Sequence, residues 1–143
     1  KMLQLIPNSG MAVCSDIGVK DDVHPTNKKE VGERLARWAL NATYGKAIIP
    51  SGPLPIKARY ENGKVIIKFQ HQPMGLKISD GGSLKGFSVD SKNEIEAKFG
   101  DGGITIFVKR KPQYVYYGWQ PFSKGNLINS EALPASTFKI KVL

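Results

Sequence analysis

From residue 56 onward the apolar positions fall two apart. Ile56, Ala58 and Tyr60 alternate with charged or polar residues, and so do Val65, Ile67 and Phe69. This period puts alternate side chains on one face of a β-strand. Asn62-Gly63 lies between the two runs and signals a two-residue type I′ hairpin turn. Such a loop pairs Tyr60 with Val65, Ala58 with Ile67 and Ile56 with Phe69, and a slip of one residue would break all three apolar pairs. A second hairpin sets Ile95, Ala97 and Phe99 against Ile104, Ile106 and Val108 across Gly100-Asp101-Gly102-Gly103. Phe87 and Val89 mark a strand before it. Val115, Tyr117 and Trp119 mark one after it, and Phe138, Ile140 and Val142 the last. Short strands separated by turn signals predict an all-β sandwich for residues 51–143.

Before residue 50 the period changes. Met11-Ala12-Val13-Cys14 is a short apolar stretch, expected to be a strand, and Ser15-Asp16-Ile17-Gly18 turns away from it. Asn27 and Glu30 have the spacing of a helix-capping box. Val31, Leu35, Trp38, Ala39 and Ala42 then recur every three or four residues as one apolar helix face, and Tyr44-Gly45-Lys46 supplies a stop. Gly32 inside this helix costs roughly 1 kcal/mol against Ala, which suggests a close packing partner there. Ser51-Gly52-Pro53-Leu54-Pro55 is a turn-rich linker, so residues 1–50 and 51–143 are expected to be separate units. One strand and one amphipathic helix cannot bury their own faces. Either the helix packs on the sandwich or, as the favoured expectation, the first unit is the end of a larger layered domain whose other parts lie upstream.

The chain has 143 residues, 41% hydrophobic and 23% charged, a globular composition. Its 21 basic residues exceed its 12 acidic ones to give +9. The excess is dispersed, much of it alternating with apolar strand positions, as at Lys139 and Lys141 around Ile140; only Lys109-Arg110-Lys111 forms a run. Such charges mark the wet face of a half-buried sheet, and no nucleic-acid partner is expected. No apolar run approaches the ~18 residues of a membrane span. A single cysteine, Cys14, excludes an internal disulfide and a cysteine-based zinc site, and its apolar neighbours predict a buried thiol.

Asp21-Asp22-Val23-His24-Pro25 is the densest chemical cluster. An Asp-x-x-His loop can set a carboxylate beside imidazole Nδ1, which fixes the tautomer and leaves Nε2 as a general base. The same residues also fit a solvated turn beside a surface histidine. A metal site is not expected, because Asp21, Asp22 and His24 on four consecutive residues point poorly at one ion. The other histidine, His71, is expected in an exposed loop. Asp80-Gly81-Gly82 and the 100–103 segment read as turns. Tyr114, Tyr116, Tyr117 and Trp119 could stack a sugar, although alternation assigns about half of them to the core. There is no Gly-x-Ser-x-Gly and no Gly-Asp-Ser, so a base is offered with no nucleophile to activate.

Met11-Ala12-Val13 through Asp16-Ile17-Gly18, followed by the run from Val23-His24-Pro25 to Arg34-Leu35-Ala36, resembles the final block of the sialate O-acetylesterases. These are sialic-acid-specific esterases of the SGNH hydrolase superfamily. Gly52-Pro53-Leu54, Leu84-Lys85-Gly86-Phe87, Tyr117-Gly118-Trp119, Asn126-Leu127 and Leu133-Pro134-Ala135-Ser136 are similar to the family's tail. The resemblance covers the whole chain but only the C-terminal part of a family member. It implies an α+β fragment: the last strand, loop and helix of an SGNH-type α/β/α domain (1–50), then a β-sandwich accessory domain (51–143). It also implies a serine esterase that acts through an acyl-enzyme, with no cofactor. His24 matches the catalytic histidine and Asp21 the superfamily's Asp-x-x-His carboxylate. Many members instead carry the carboxylate at the position of Asp22, and Asp16 belongs to a recurrent Asp-Ile-Gly, so both stay open. The implied partners are the upstream part of the same enzyme, carrying the serine and the oxyanion hole, and an O-acetylated sialic acid or related acetylated sugar. The implied location is extracytoplasmic. The alternative is a non-catalytic carbohydrate-binding or interaction module.

Overall fold

The Asn62-Gly63 hairpin forms as the alternation requires. In the computed structural model, which describes residues 2–143, β1 (Leu54–Glu61) and β2 (Lys64–Gln70) pair antiparallel, with Tyr60 opposite Val65 and Ala58 opposite Ile67. Asn62 and Gly63 take φ values of 47° and 76°, the positive pair that a type I′ turn needs. The third expected pair is replaced. The register shifts between Pro55 and Lys57, so Pro55 stands opposite Phe69 and Ile56 is left 58% exposed. Pro55 has no N–H to give the ladder, and a bulge accommodates that loss.

The second hairpin is shorter than the pattern suggests. With β3 (Leu76–Ile78) and β4 (Phe87–Ser88) before it, β5 (Lys98–Gly100) pairs with β6 (Gly103–Phe107), Phe99 facing Ile104 around a two-residue turn at Asp101-Gly102. Ile95 does not join β6; its N–H donates to the Phe87 carbonyl at 2.9 Å. The remaining strands are β7 (Tyr114–Tyr117), β8 (Leu127–Asn129) and β9 (Phe138–Lys141). They complete a four-stranded sheet β1-β2-β6-β5, a three-stranded sheet β4-β7-β9 and the pair β3-β8. The β3-β8 pair was not predicted, since three-residue strands are too short to show a period.

The sheets share one core. Ala58, Val65, Ile67 and Ile104 from the first sheet cluster with Phe87, Val115, Tyr117 and Phe138 from the second and Leu127 from β8. Phe138 is the aromatic junction, with ring centroids 5.5 Å from Tyr117 and 5.9 Å from Phe69. The C-terminus closes onto β1. Val142 bridges Ala58 in parallel, the Leu143 N–H reaches the Ala58 carbonyl and the Tyr60 N–H reaches the Leu143 carbonyl.

Before the linker stand the single turn α1 (Met2–Leu5) and the 15-residue α2 (Lys28–Ala42), so the chain is α+β with β predominant. Asn27 caps α2 as expected: its Oδ1 accepts the Glu30 N–H and its Nδ2 donates to Glu30 Oε1 at 2.9 Å. The stop also forms, with Gly45 at φ 63° and the Lys46 N–H on the Leu40 carbonyl. Three expectations are corrected. Residues 11–14 are in no strand; the Met11 carbonyl accepts from Trp38 Nε1 and the Val13 carbonyl from Arg34. Cys14 is exposed, because no sheet layer covers that stretch. A Cβ built on Gly32 would meet nothing within 4 Å.

The orientation of α2 explains the last point. At 100° per residue, Glu30, Arg34, Arg37, Trp38 and Asn41 lie on one side, and that side faces the rest of the chain. The stripe of Val31, Leu35, Ala39 and Ala42 is turned away from it, with Leu35 48% exposed and Ala39 and Ala42 exposed.

Candidate functional site

His24 is exposed three residues before the cap of α2. A tight turn precedes it: Val19 and Asp22 form an antiparallel bridge, and Asp22 Oδ1 accepts the His24 backbone N–H at 2.7 Å. This is a short-range side-chain-to-backbone turn. It fixes where the histidine leaves the chain while leaving its ring in solvent. Asp21 is exposed on the same turn. Among the described residues no hydrogen bond joins either carboxylate to the imidazole, and the Asp21 side chain has no hydrogen-bond partner at all.

Asp16 is occupied elsewhere. Arg34, the buried residue of α2, holds both oxygens of Asp16 at 2.6 Å through a two-pronged contact and also donates to Glu30 Oε2 at 2.7 Å. The planar guanidinium matches a carboxylate in this way. The bond to Asp16 raises the Arg34 pKa against the opposing effect of burial. One arginine thus binds the loop that precedes His24, through Val13 and Asp16, to the helix that follows it. Arg34 was not singled out from the sequence, because a helical arginine beside glutamate reads as surface.

A second cluster ties α2 to the β-rich region, and it corrects the placement of His71. Far from an exposed loop, His71 is half-buried with φ 60°. Its Nδ1 lies 2.9 Å from Ser51 Oγ, and its ring stands edge-on to Trp38 with centroids 6.0 Å apart. Asn129, fully buried, donates to the carbonyls of Ser51 and His71 and accepts the N–H groups of Glu131 and Leu133. Burial pushes the His71 pKa down. Ser51 Oγ is buried and its O–H donates to the Gly52 carbonyl at 2.9 Å. The imidazole N–H is then the donor to Ser51, so this contact is a structural joint rather than a nucleophile with its base. Gly52 completes the joint, since a Cβ there would collide with the Pro134 carbonyl.

Among the described residues, no group of three or more acidic, histidine or cysteine side chains is placed to hold a metal ion. Among the described residues no helix is long and apolar enough to cross a membrane.

The fold of the chain is similar to part of a carbohydrate acetylesterase. The crystal structure of XAC1771, a novel carbohydrate acetylesterase from Xanthomonas citri, superposes with a TM-score of 0.78 at 34% sequence identity. The alignment covers 88% of this chain and 31% of that chain, so the chain spans about a third of that protein's length. The sequence matches no family model and no curated protein.

Proposed function

We propose that this chain is the C-terminal part of a serine-type carbohydrate O-acetylesterase, and that His24 is its general base. The observation that carries this reading is the likeness, at 34% identity over 88% of the chain, to part of a carbohydrate acetylesterase. The exposed apolar stripe of α2 and the unfilled space at Gly32 support it, because both fit a helix with one face meant for another layer. The serine and the oxyanion donors come from the upstream part of the enzyme, an SGNH-type domain, while residues 51–143 form its sandwich accessory domain.

The serine hydroxyl attacks the acetyl carbonyl as His24 Nε2 takes its proton. The sugar hydroxyl leaves with that proton, and an acetyl-serine remains. Water, deprotonated by His24, then attacks the ester, and acetate and free serine are released. Asp21 is the carboxylate assigned to Nδ1. Asp16 is spent on Arg34 and Asp22 on the backbone, which leaves Asp21 unengaged for the ring. The resemblance of the His-Pro block supports an O-acetylated sialic acid or related acetylated sugar as the substrate and an extracytoplasmic place of action.

His24→Ala in the intact enzyme is expected to cost about 10³-fold or more in kcat on an acetyl ester with no change in melting temperature, since the ring is exposed. Turnover near the wild-type rate would overturn the assignment. Asp21→Asn, Asp22→Asn and Asp16→Asn compared side by side separate the carboxylates: the Asp21 variant is expected to lose the most kcat.

A further inference from the structure

We propose that the outer face of the β4-β7-β9 sheet binds a glycan bearing carboxylates. This goes beyond the esterase reading and stands or falls separately from it. Strand alternation turns Val115 and Tyr117 into the core and leaves Tyr114 and Tyr116 half-buried on the outside. On β9, Lys139 lies opposite Tyr116 and Lys141 opposite Tyr114, both exposed. Trp119 should by simple alternation follow Tyr117 inward. Gly118 prevents that. Its φ is 62°, and a Cβ there would come within 2.9 Å of Thr137 Cγ2, so the chain reverses face at a residue that only glycine fits. Trp119 emerges 48% exposed, its ring edge-on to Tyr116 with centroids 5.5 Å apart. Gln120 fastens this segment to the loop after β4 through the carbonyls of Ser91 and Lys92, each at 3.3 Å.

Among the described residues the two lysines of β9 form no salt bridge, and one of them is positioned by the aromatic rings. The Lys139 ammonium sits 4.1 Å from the centroid of Tyr114 and 5.5 Å from that of Tyr116, held by cation–π attraction. Among the described residues neither Lys139 nor Lys141 has an acidic partner. The exposed run Lys109-Arg110-Lys111 leads into the Tyr114 end of β7. The carboxylate that follows β4, Asp90, is closed onto its own loop by Ser88, Lys92 and Asn93.

This combination defines the ligand. The aromatic faces carry negative quadrupole charge and accept the C–H face of a pyranose, while the lysines supply a counter-charge that a neutral sugar would not use. The inclined rings, 61° apart at Tyr116 and Trp119, offer an angled cradle suited to a puckered sugar rather than parallel plates for nucleobases.

The test is binding by the intact protein to polygalacturonate, to its methyl ester, to polysialic acid and to single-stranded DNA. One or both acidic glycans should bind, and which one does tells a uronate from a sialate. Trp119→Ala should weaken that binding at least tenfold, and Trp119→Phe should retain most of it. Lys139→Gln should erase the preference for the free acid over the methyl ester. Hydrolysis of nitrophenyl acetate and the melting temperature should be unchanged in all three variants, which separates this site from the esterase reading. Absence of binding to both acidic glycans, binding indifferent to Trp119 and Lys139, or equal binding to DNA would overturn the proposal.

Discussion

Residues 51–143 and the residues before them dispose of apolar surface in different ways. The later region buries fifteen apolar side chains in one cluster, with Ala58, Val65, Ile67, Ile104, Ile106 and Val115 at zero exposure. In the earlier region, among the described side chains before Pro50, only Arg34 is buried, while Val19, Val23, Leu35 and Tyr44 are 48–88% exposed. The β-rich region is held by dry packing and the helical region by polar anchors: Arg34 on Asp16, Arg37 on Glu131 and the Ile49 carbonyl, Trp38 on the Met11 carbonyl and Asn41 on the Ile48 carbonyl. A polar-anchored helix keeps its apolar stripe for something else. That difference is the physical ground for treating α2 as half of an interface.

The comparison can be sharpened by substitution. The largest effect is expected in the dry core. Ile104→Ala should lower unfolding free energy by roughly 2–5 kcal/mol, read by denaturant melts. Arg34→Met should come next, at about 2 kcal/mol, because it breaks a charged two-pronged hydrogen bond. Its signature is local: amide exchange should accelerate across residues 11–24 and leave β2 and β6 protected.

The joint at His71 predicts a smaller, pH-dependent effect. Burial lowers the folded-state pKa of His71 below its ordinary 6.5, so the unfolded chain takes up the proton first. Stability is therefore complete above pH 6.5 and falls as pH drops below that value toward the folded pKa. Melting temperatures measured from pH 7.5 to 5 should show this slope, and His71→Gln should flatten it. The carboxylates of Asp80, held down to about 2 by Lys85 first and then Asn126 and Gly82, and of Asp101, held down by Lys64, act at lower pH and leave this window clear. The smallest effect is expected at Leu35. Leu35→Ser should move the stability of this chain by less than about 0.5 kcal/mol, as exposed sites do. In the longer protein proposed above it should cost several times more if another layer covers the stripe.

The strand-turn grammar of residues 56–70 was legible because period two and Asn62-Gly63 are both local signals. The helix was too: its cap at Asn27, its stop at Gly45 and its apolar period are written within 20 residues. His24 could be picked out only through the resemblance of its His-Pro block, because the spacing alone also fits a solvated turn. What the alternation could not show was where regularity yields. Pro55 shifted the register and sent Ile56 outward, and Gly118 turned Trp119 from the core side to the outer face. Which side of α2 meets its own chain was also hidden, because the apolar stripe gave the expected answer and the polar side gave the observed one.

By itself, then, the order of residues determined the Asn62-Gly63 hairpin and the capped helix and offered a candidate base, since periodicity, capping and turn chemistry act over a few neighbouring positions. Only the tertiary structure decided that Arg34 claims Asp16, that His71 leaves the surface to join Ser51 and Asn129, and that Tyr116, Trp119 and Lys139 share a face. Each of those contacts joins residues 18 or more apart or depends on a backbone reversal between them. Their energies arise from burial and ionic geometry that exist only once distant segments meet.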